Sequence, residues 1–363
     1  MSSSFPRRTT KPILVGGVQV GGGAPVVVQS MTKTPTHDAA ATIAQIRRLQ
    51  KAGCEIVRLA VPDRRAAEAL PGIKKRVSVP LIADIHFDHR LALAALRAGV
   101  DGLRLNPGTI GPRDGVRRVV AAAREQGVPI RIGVNSGSLE KRLLARYGGA
   151  TAEAMAESAL GHIRLLEDLG FDLIKVSLKA SDVARTVEAH RILAGKVPYP
   201  FHLGITEAGN LESGVIKSSV GLGILLGEGL GDTIRVSLTA PPEDEVRVAY
   251  SILRSLGLSS RGVNLVTCPT CGRVEVDMMR YAAAVSRGLQ SIEVPLTVAL
   301  MGCAVNGPGE AREADVGVAC GRGAGTLFRK GKLVRRVEAG RIVAELIAEA
   351  KKLATERSKV QGS

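Results

Sequence analysis

Three cysteines in the last third of the chain have a spacing that suits a metal centre. Cys268 and Cys271 form a C-P-T-C motif, and Cys303 follows in G-C-A-V-N-G-P-G-E. A C-x-x-C loop places two sulfurs on one centre, and a third cysteine from elsewhere is common to zinc and iron–sulfur sites. A zinc ribbon would need a second C-x-x-C, which the sequence lacks. The motif therefore predicts a metal centre that carries three thiolates.

Three thiolates leave the fourth ligand of this centre open. Cys320 could complete the set, an oxygen ligand could do so, or one position could stay free for substrate. The Gly-Pro-Gly segment after Asn306 is predicted to turn Glu310 back toward Cys303. Cys54 and Cys320 are both interpreted as core thiols.

A second group of residues interrupts runs that should be wholly apolar. Strands of a parallel barrel are covered on both faces and read as apolar runs, yet five runs contain a cation and a sixth contains His202. The cations are Arg58, Arg104, Arg131, Lys175 and Arg235. Any one of these cations could point outward or pair with Asp84 or Glu207. Five cations in register, however, outnumber the nearby carboxylates, and a buried cation without a partner costs free energy. A ligand with two phosphoryl groups would supply the missing charge, and arginine binds phosphate bidentately.

Polar side chains at the ends of the same runs are predicted to complete the pocket. They are Asp84, His86, Asn106, Asn135, Ser177, Thr206, Glu207 and Ser237. Each alone carries little information because loop ends are usually polar. With the cations they predict a polyanion site, and Glu207 is the candidate for proton transfer beside the substrate.

Eight strand–helix units are predicted to position these residues. The strand runs begin at Val26, Glu55, Pro80, Asp101, Pro129, Asp172, Pro200 and Asp232. Eight such units in roughly 250 residues are typical of a closed (β/α)8 TIM barrel, whose active site lies at the carboxyl ends of its strands. An open doubly wound sheet is the alternative, but no G-x-G-x-x-G follows the first run. The segment from Ile13 to Val27 predicts a β-hairpin across the bottom of the barrel.

The pattern changes after Leu258, and we place a domain boundary there. Residues 1–260 are assigned to the barrel with its hairpin, and residues 261–363 to a smaller α/β domain that contains four of the five cysteines. A closing helix is predicted from about Val337 to Glu356. Both ends of the chain, M-S-S-S-F-P-R-R-T-T-K-P and R-S-K-V-Q-G-S, are predicted to be frayed.

Composition limits the classes of function. The formal charge is +16, from 50 basic and 34 acidic residues. Because the basic residues are spread along the chain and aromatics make up 2%, nucleic-acid binding is disfavoured. The sequence contains no run of 18 apolar residues, so no membrane span is predicted. The first residues lack the apolar core of a secretory signal. We therefore expect a cytoplasmic protein with neither a nucleic-acid nor a membrane partner, and no disulfide framework.

A series of short motifs covers nearly the whole chain in order. The motifs are V-Q-S-M-T from Val28, A-D-I-H-F-D from Ala83, R-L-N-P-G from Arg104, I-R-I-G-V-N-S-G-S-L-E from Ile130, K-V-S-L-K-A-S-D from Lys175, H-L-G-I-T-E-A-G from His202, G-D-T-I-R-V-S-L from Gly231, and the two cysteine motifs. Together they resemble the family of 4-hydroxy-3-methylbut-2-enyl diphosphate synthases, in its bacterial two-domain form. The cysteine motifs with their spacing are the most specific part of this resemblance.

The resemblance implies a reaction, a cofactor and partners. The reaction is the reductive ring opening and dehydroxylation of 2-C-methyl-D-erythritol 2,4-cyclodiphosphate, the penultimate step of the non-mevalonate isoprenoid pathway. A 4Fe–4S cluster would be held by Cys268, Cys271, Cys303 and Glu310, with electrons from flavodoxin or ferredoxin. The barrel would resemble dihydropteroate synthase, and the second domain a module of sulfite and nitrite reductases. The alternative is a redox-silent barrel transferase or lyase with a structural zinc in its tail.

The connection between the two predicted domains is short. It covers about residues 259–264, and a segment of about six residues spans at most ~20 Å. Because the last barrel helix runs away from the mouth, the cluster domain would fold back over its own barrel only with difficulty. We therefore expect a homodimer in which each chain supplies its cluster to the partner's barrel, as the resemblance also implies. A monomer whose second domain swings on the connection is the alternative.

Overall fold

In the computed structural model, which describes residues 5–259, 261–303 and 305–361, the chain divides into two units, Met1–Leu258 and Ser259–Ser363. Each unit contains a large cluster of buried apolar side chains of its own. Ser260, which belongs to the predicted connection, and Ala304, which follows the third cysteine, lie outside the described residues. No helix of the described ranges is long and apolar enough to cross a membrane.

The first unit opens with an antiparallel hairpin of two short strands, β1 (Ile13–Val15) and β2 (Val18–Val20). Alternating valine and isoleucine residues give the hairpin one apolar face. That face packs against side chains near the amino-terminal ends of three barrel strands, namely Val27, Ile56 and Ile82. The hairpin therefore covers the end of the barrel opposite the predicted mouth.

The sheet of this unit has eight parallel strands, and the predicted TIM barrel is confirmed. They are β3 (Val27–Met31), β4 (Ile56–Ala60), β5 (Leu81–Asp84), β6 (Gly102–Arg104), β7 (Ile130–Asn135), β8 (Ile174–Lys179), β9 (His202–Leu203) and β10 (Thr233–Ile234). Their order is β8-β7-β6-β5-β4-β3-β10-β9. A bridge between Val176 and Phe201 brings the two ends of the sheet together.

A helix follows every strand, as the repeated sequence unit predicts. The helices are α1 (Ala39–Lys51), α2 (Arg64–Lys74), α3 (His89–Arg97), α4 (Arg113–Glu125), α5 (Lys141–Tyr147), α6 (Ala152–Glu167), α7 (Val183–Ala194), α8 (Leu211–Gly227) and α9 (Pro242–Ser255). Both α5 and α6 follow β7, after a single 3-10 turn at Ser136–Ser138. Several helices begin at an Asp, Thr or Asn whose side chain accepts a backbone N–H of the first turn. These caps end the loops at the barrel mouth sharply.

The second unit is the predicted smaller α/β domain. Its sheet runs in the order β11 (Val263–Thr267), β12 (Leu296–Met301), β13 (Val316–Gly321), β14 (Ala324–Arg329) and β15 (Lys332–Glu338). The first three strands are parallel, and the last two continue the sheet antiparallel. Within the described ranges, three α-helices accompany it, α10 (Met278–Leu289), α11 (Gly307–Glu313) and α12 (Ile342–Gln361). The predicted start of the closing helix is wrong, because Val337 pairs with Gly325 in the sheet.

Both predictions of frayed ends are wrong for the described residues. At the amino terminus, Arg7 forms an ion pair with Asp232 at 3.1 Å, and the guanidinium of Arg8 lies over the ring of Phe201. At the other end, α12 continues to Gln361. Asp232 is buried, so it requires partners, and the amino-terminal segment supplies them.

Candidate active site

A cavity of about 220 Å³ opens at the carboxyl ends of the barrel strands. It is lined by Arg58, Asp84, His86, Arg104, Arg131, Asn135, Ser177, Lys179, Thr206, Arg235 and Ser237. Nine of these residues are among those assigned to substrate binding from the sequence, and His86 was placed at the mouth. The carboxyl ends of parallel strands meet at one edge of a barrel, so residues far apart in the sequence line one small space.

Strand register explains why the cations share a level inside the barrel. Asp84 pairs with Arg104, Arg104 with Arg131, and Arg131 with Lys175 across neighbouring strands. Side chains of paired residues in parallel strands point to the same face. The flanking apolar residues point to the helices, where they belong to the main core.

Asp84 is the carboxylate that the cations share. Its oxygens lie 3.4 Å from Nε of Arg58 and 3.2 Å from Nη1 of Arg104. Burial alone would raise the pKa of Asp84, but the two guanidinium groups hold that pKa below its ordinary value. His86 approaches the same carboxylate, and burial lowers the pKa of its imidazole. Asp84 is therefore ionised at neutral pH beside several cations.

The second carboxylate beside the cations is Glu245 on α9, and not Glu207. Oε2 of Glu245 lies 3.7 Å from Nη2 of Arg235, and Oε1 lies 3.0 Å from Nζ of Lys33. Glu245 is buried, and it also accepts the backbone N–H of Leu238 at 3.0 Å. Glu207 is exposed and forms no ion pair with any residue that the structure describes. The sequence gives no local sign of Glu245, because it lies on a helix and not at a strand end.

The lining cations keep hydrogen-bond donors that the protein does not use. Nη1 of Arg131 donates to Oγ of Ser177 at 2.9 Å, whereas its Nε and Nη2 are buried without a partner among the described residues. Nε of Arg104 and Nε of Arg235 are also buried without a hydrogen-bond partner in the described part of the chain. Burial, followed by repulsion from Arg58 and Arg104, lowers the pKa of Arg131. A pocket with free cationic donors and few carboxylates is suited to a polyanion.

Two glycines, one in β7 and one directly after β9, make room for these cations. A Cβ at Gly133 would lie 2.5 Å from Nε of Arg104, and a Cβ at Gly204 would lie 2.7 Å from Nζ of Lys179. Gly133 also accepts a hydrogen bond from Nη2 of Arg104 at 2.9 Å. A glycine inside a strand often marks such a close approach.

Lys179 lines the cavity, although it is not among the residues predicted from the sequence. It ends the run K-V-S-L-K, in which Lys175, Ser177 and Lys179 alternate and share one face of β8. Its Nζ lies 3.4 Å from Nε2 of His202, whose Nδ1 lies 2.7 Å from Oγ1 of Thr233. Burial, followed by repulsion from the cavity arginines, lowers the pKa of Lys179. The alternation of polar residues at every second position of β8 is the sequence signal that points to Lys179.

Three residues assigned to substrate binding do not line the cavity. Lys175 is fully buried, and its Nζ has no hydrogen-bond partner in the described part of the chain; burial lowers its pKa to about 7. His202 is buried behind Lys179. Asn106 bridges to the neighbouring strand, with its side chain donating to the carbonyl of Gly133 at 3.0 Å and accepting its N–H at 2.9 Å.

The cysteine motifs meet at one edge of the second sheet. In the parallel pair β11 and β12, Thr267 lies opposite Leu300. Cys268 follows the first strand directly, and Cys303 follows the second after one residue. Cys271 is exposed and Cys268 is half-buried. The sheet therefore places the motifs at the same edge.

Two of these thiols are prepared to ionise. The backbone N–H groups of Asn306 and Val305 lower the pKa of Cys303, and the backbone N–H of Arg273 lowers that of Cys271. Thiolates are the species that bind metal. By contrast, Cys320 lies in the core of this unit and burial raises its pKa to about 12, which confirms its prediction as a core thiol. Cys54 is a core thiol of the barrel in the same way.

The predicted turn at Gly307–Gly309 is instead the beginning of α11, because proline is favoured in the first turn of a helix. Glu310 is exposed in this first turn. Among the described residues, no group of three or more His, Cys, Asp or Glu side chains is close enough to hold a metal ion. The donor chemistry nevertheless fits a thiolate-bound cluster, since three thiols lie at one sheet edge. The set of cluster ligands stays a prediction.

These features define a class: a TIM-barrel enzyme with a polyanion pocket, followed by an α/β domain that presents thiols. The barrel matches the family model of the GcpE TIM-barrel domain over residues 10–250, and the second unit matches the GcpE protein C-terminal domain over residues 264–352. Over 348 residues the chain is 62% identical to the 4-hydroxy-3-methylbut-2-en-1-yl diphosphate synthase (flavodoxin) of Geobacter sulfurreducens, covering 96% of this chain and 99% of that protein. It is 57% identical over 356 residues to the protein of the same name from Geobacillus kaustophilus, covering 98% and 95%. The chain belongs to the GcpE family, which confirms the predicted family and disfavours the zinc-tail alternative.

Solved structures share the fold of the barrel. An N-acetylneuraminic acid synthetase from Leptospira borgpetersenii superposes with a TM-score of 0.51 at 11% identity, covering 78% of this chain and 98% of that one. A dihydropteroate synthase from Yersinia pestis gives a TM-score of 0.50 at 12% identity, covering 69% and 100%. At these identities the likeness concerns the fold alone.

Proposed function

We propose that this chain is an iron–sulfur oxidoreductase that opens 2-C-methyl-D-erythritol 2,4-cyclodiphosphate reductively to 4-hydroxy-3-methylbut-2-enyl diphosphate. The observation that carries the proposal is the cavity with unused donors on Arg104, Arg131 and Arg235. The family membership and the printed name of the relatives supply the reaction. The functional division would be a substrate domain over residues 1–260 and a cluster domain over residues 261–363.

The barrel residues would bind and orient the cyclic diphosphate. The guanidinium groups of Arg131 and Arg235, which line the cavity, would contact phosphoryl oxygens. Each such hydrogen bond to a charged group contributes roughly 1.5–3 kcal/mol. Asn135, Ser177 and Ser237 line the same space and would contact the remaining oxygens. The hydrogen bond from Arg131 to Ser177 fixes the direction of that guanidinium before substrate arrives, which reduces the entropy that binding must overcome.

A 4Fe–4S cluster held by Cys268, Cys271, Cys303 and Glu310 would supply electrons one at a time when bound. The lowered thiol pKa values of Cys271 and Cys303 support this ligand set. Glu310 would complete it with an oxygen, because Cys320 is a buried thiol with a raised pKa. The electrons would come from flavodoxin, the donor in the name of the relatives, with ferredoxin as the alternative.

Glu207 is proposed as the residue that transfers a proton near the substrate. It follows Thr206, which lines the cavity, and its φ of 52° lies in the left-handed region that non-glycine residues seldom adopt. Such backbone outliers concentrate at functional sites. Its exposed carboxylate would exchange protons with solvent between turnovers.

The proposed assembly is a cytoplasmic homodimer in which each chain supplies its cluster to the barrel of the partner. The support comes from the family resemblance and from the short connection between α9, which ends at Ser255, and β11, which begins at Val263. An isologous dimer would contain two equivalent sites of this kind.

The test is an anaerobic preparation assayed with the cyclic diphosphate and reduced flavodoxin. The proposal predicts brown protein that absorbs near 410 nm, with about four irons per chain as in a cubane cluster, and formation of the linear diphosphate identified by mass spectrometry. Protein stripped of iron is the control. Colourless protein with one zinc, or iron-loaded protein that leaves the substrate unchanged, would overturn the proposal.

A further inference from the structure

His162 on α6 lies between two loops at the barrel mouth. Its Nδ1 lies 3.3 Å from the backbone nitrogen of Gly108 in the loop after β6. Its Nε2 lies 3.4 Å from Oε1 of Glu140, which ends the loop after β7. His162 is 5% exposed, whereas Gly108 is exposed and the Glu140 side chain is 32% exposed, so a buried imidazole joins two loops at the surface.

The two contacts require one protonation state of the ring. Nδ1 must accept from the N–H of Gly108, so in the neutral ring Nε2 carries the hydrogen and faces the Glu140 carboxylate. Burial, opposed by Glu140 and assisted by Arg142, lowers the pKa of His162. The neutral tautomer that satisfies both loops is therefore the one expected at neutral pH.

Each loop begins at a cavity residue or at a residue bonded beside one. The first follows Asn106, whose side chain is bonded twice to Gly133 on β7. The second follows Asn135, which lines the cavity. The loop that starts at Asn135 reaches Glu140, and Glu140 contacts His162. His162 in turn contacts Gly108 in the other loop. That loop starts at Asn106, whose side chain is bonded to Gly133 on β7. His162 thus closes a ring of contacts around the ends of β6 and β7.

Gly108 lies so close to the imidazole of His162 that a side chain at this position would overlap with the ring. A Cβ at Gly108 would lie 2.8 Å from Cε1 and 3.2 Å from Nδ1 of His162. Real Cβ atoms hardly ever approach that closely, so either the imidazole or the loop would have to shift. Gly108 does not have a positive φ, so proximity to the imidazole, and not backbone conformation, explains the glycine.

We propose that His162 is a positioning residue for the diphosphate pocket, which joins the loops after β6 and β7 and so fixes Asn135 relative to the cavity arginines. The proposal rests on the proposed function of the barrel. Its role differs from that of a core histidine such as His190, whose Nδ1 contacts the Thr186 carbonyl within its own helix.

The test compares three substitutions of His162 in the iron-loaded enzyme. His162→Leu removes both contacts, His162→Asn keeps an acceptor near Nδ1, and His162→Gln keeps a donor near Nε2. We expect KM for the cyclic diphosphate to rise about tenfold or more in the Leu variant, with smaller increases in the Asn and Gln variants and unchanged iron content. His190→Leu is the matched control, and it should lower the melting temperature without raising KM.

A second perturbation reaches the same contact from the other loop, in case the Leu variant does not fold. Gly108→Ala should raise KM in the parent but have little further effect in a His162→Ala background, where the overlap is gone. Equal effects in both backgrounds, or KM values that follow only the melting temperature across all variants, would overturn the proposal.

Binding of inorganic diphosphate, measured by calorimetry, separates this inference from the proposed function. If the enzyme fails to convert the cyclic diphosphate while diphosphate affinity still falls in the His162 variants, the reaction assignment is wrong and the positioning role stands. If conversion occurs and neither KM nor diphosphate affinity responds, the positioning role is wrong.

Discussion

Replacing Arg131 by methionine should weaken substrate binding without a large loss of folding stability. Arg131 is 2% exposed and its Nε and Nη2 have no hydrogen-bond partner among the described residues. A buried cation that lacks a carboxylate of its own costs free energy in the empty protein. An unbranched apolar side chain of similar length removes that cost and fills most of the same space.

The magnitudes follow from the contacts. The substitution removes one hydrogen bond to Ser177, worth about 0.5–1.5 kcal/mol or somewhat more for a charged donor, but it also removes an uncompensated charge. We therefore expect the free energy of unfolding of Arg131→Met to stay within about 2 kcal/mol of the parent or to rise. Loss of a single charge-assisted bond to phosphate costs roughly 1.5–3 kcal/mol, so affinity should fall roughly 10- to 150-fold.

The measurements are urea unfolding of the protein and calorimetric binding of the cyclic diphosphate under anaerobic conditions. Arg117→Met, on the exposed side of α4, is the matched control for loss of one positive charge, and it should change neither quantity much. A variant that binds substrate as tightly as the parent, yet loses several kcal/mol of stability, would show that Arg131 is a structural residue and that the pocket lies elsewhere.

Three further predictions test the remaining parts of the site. Lys175 has a folded pKa of about 7 against 10.5 when solvated, so the unfolded chain binds the extra proton between these pH values. The free energy of unfolding should therefore rise with pH across that range, and Lys175→Met should reduce the rise in urea titrations at pH 7 and 9. Glu310→Ala should retain some iron but lose most activity, whereas Cys320→Ser should be nearly silent; the opposite result in iron analysis and assay would make Cys320 the ligand. Mixing Arg131→Ala with Cys303→Ser should restore about a quarter of the parent activity per chain, because half of the dimers are mixed and each has one intact composite site; a mixture that stays inactive despite demonstrated subunit exchange would assign each site to one chain.

The barrel and most of its pocket could be predicted because both depend on short-range patterns. A cation inside an apolar run is visible in the sequence, and register in a parallel barrel brings such residues to one level. Depth is harder to predict. Lys175 and Lys179 share one face of β8, but Lys179, the last residue of the strand, lines the cavity, whereas Lys175 does not.

Long-range partners could not be predicted from the same patterns. Glu245 reaches the pocket from α9, so no strand motif contains it. The partners of Asp232 are also distant in the sequence, because Arg7 and Thr10 of the amino-terminal segment donate hydrogen bonds to its carboxylate. In each case a buried charge determines the contact, and the sequence shows the charge but not its distant partner.

The excess of cations over carboxylates in the pocket also affects which phosphorylated ligands it can bind. Each arginine that lacks a full partner raises the free energy of the empty protein, and a ligand lowers it only by bringing negative charge to the right place. A monophosphate would leave part of the cluster formed by Arg104, Arg131 and Arg235 unsatisfied, because these residues come from β6, from β7 and from the position directly after β10. A cyclic diphosphate presents two phosphoryl groups at a fixed separation and can satisfy donors on several strands at once. On the proposed function, we therefore expect the pocket to select for the number and spacing of phosphoryl groups.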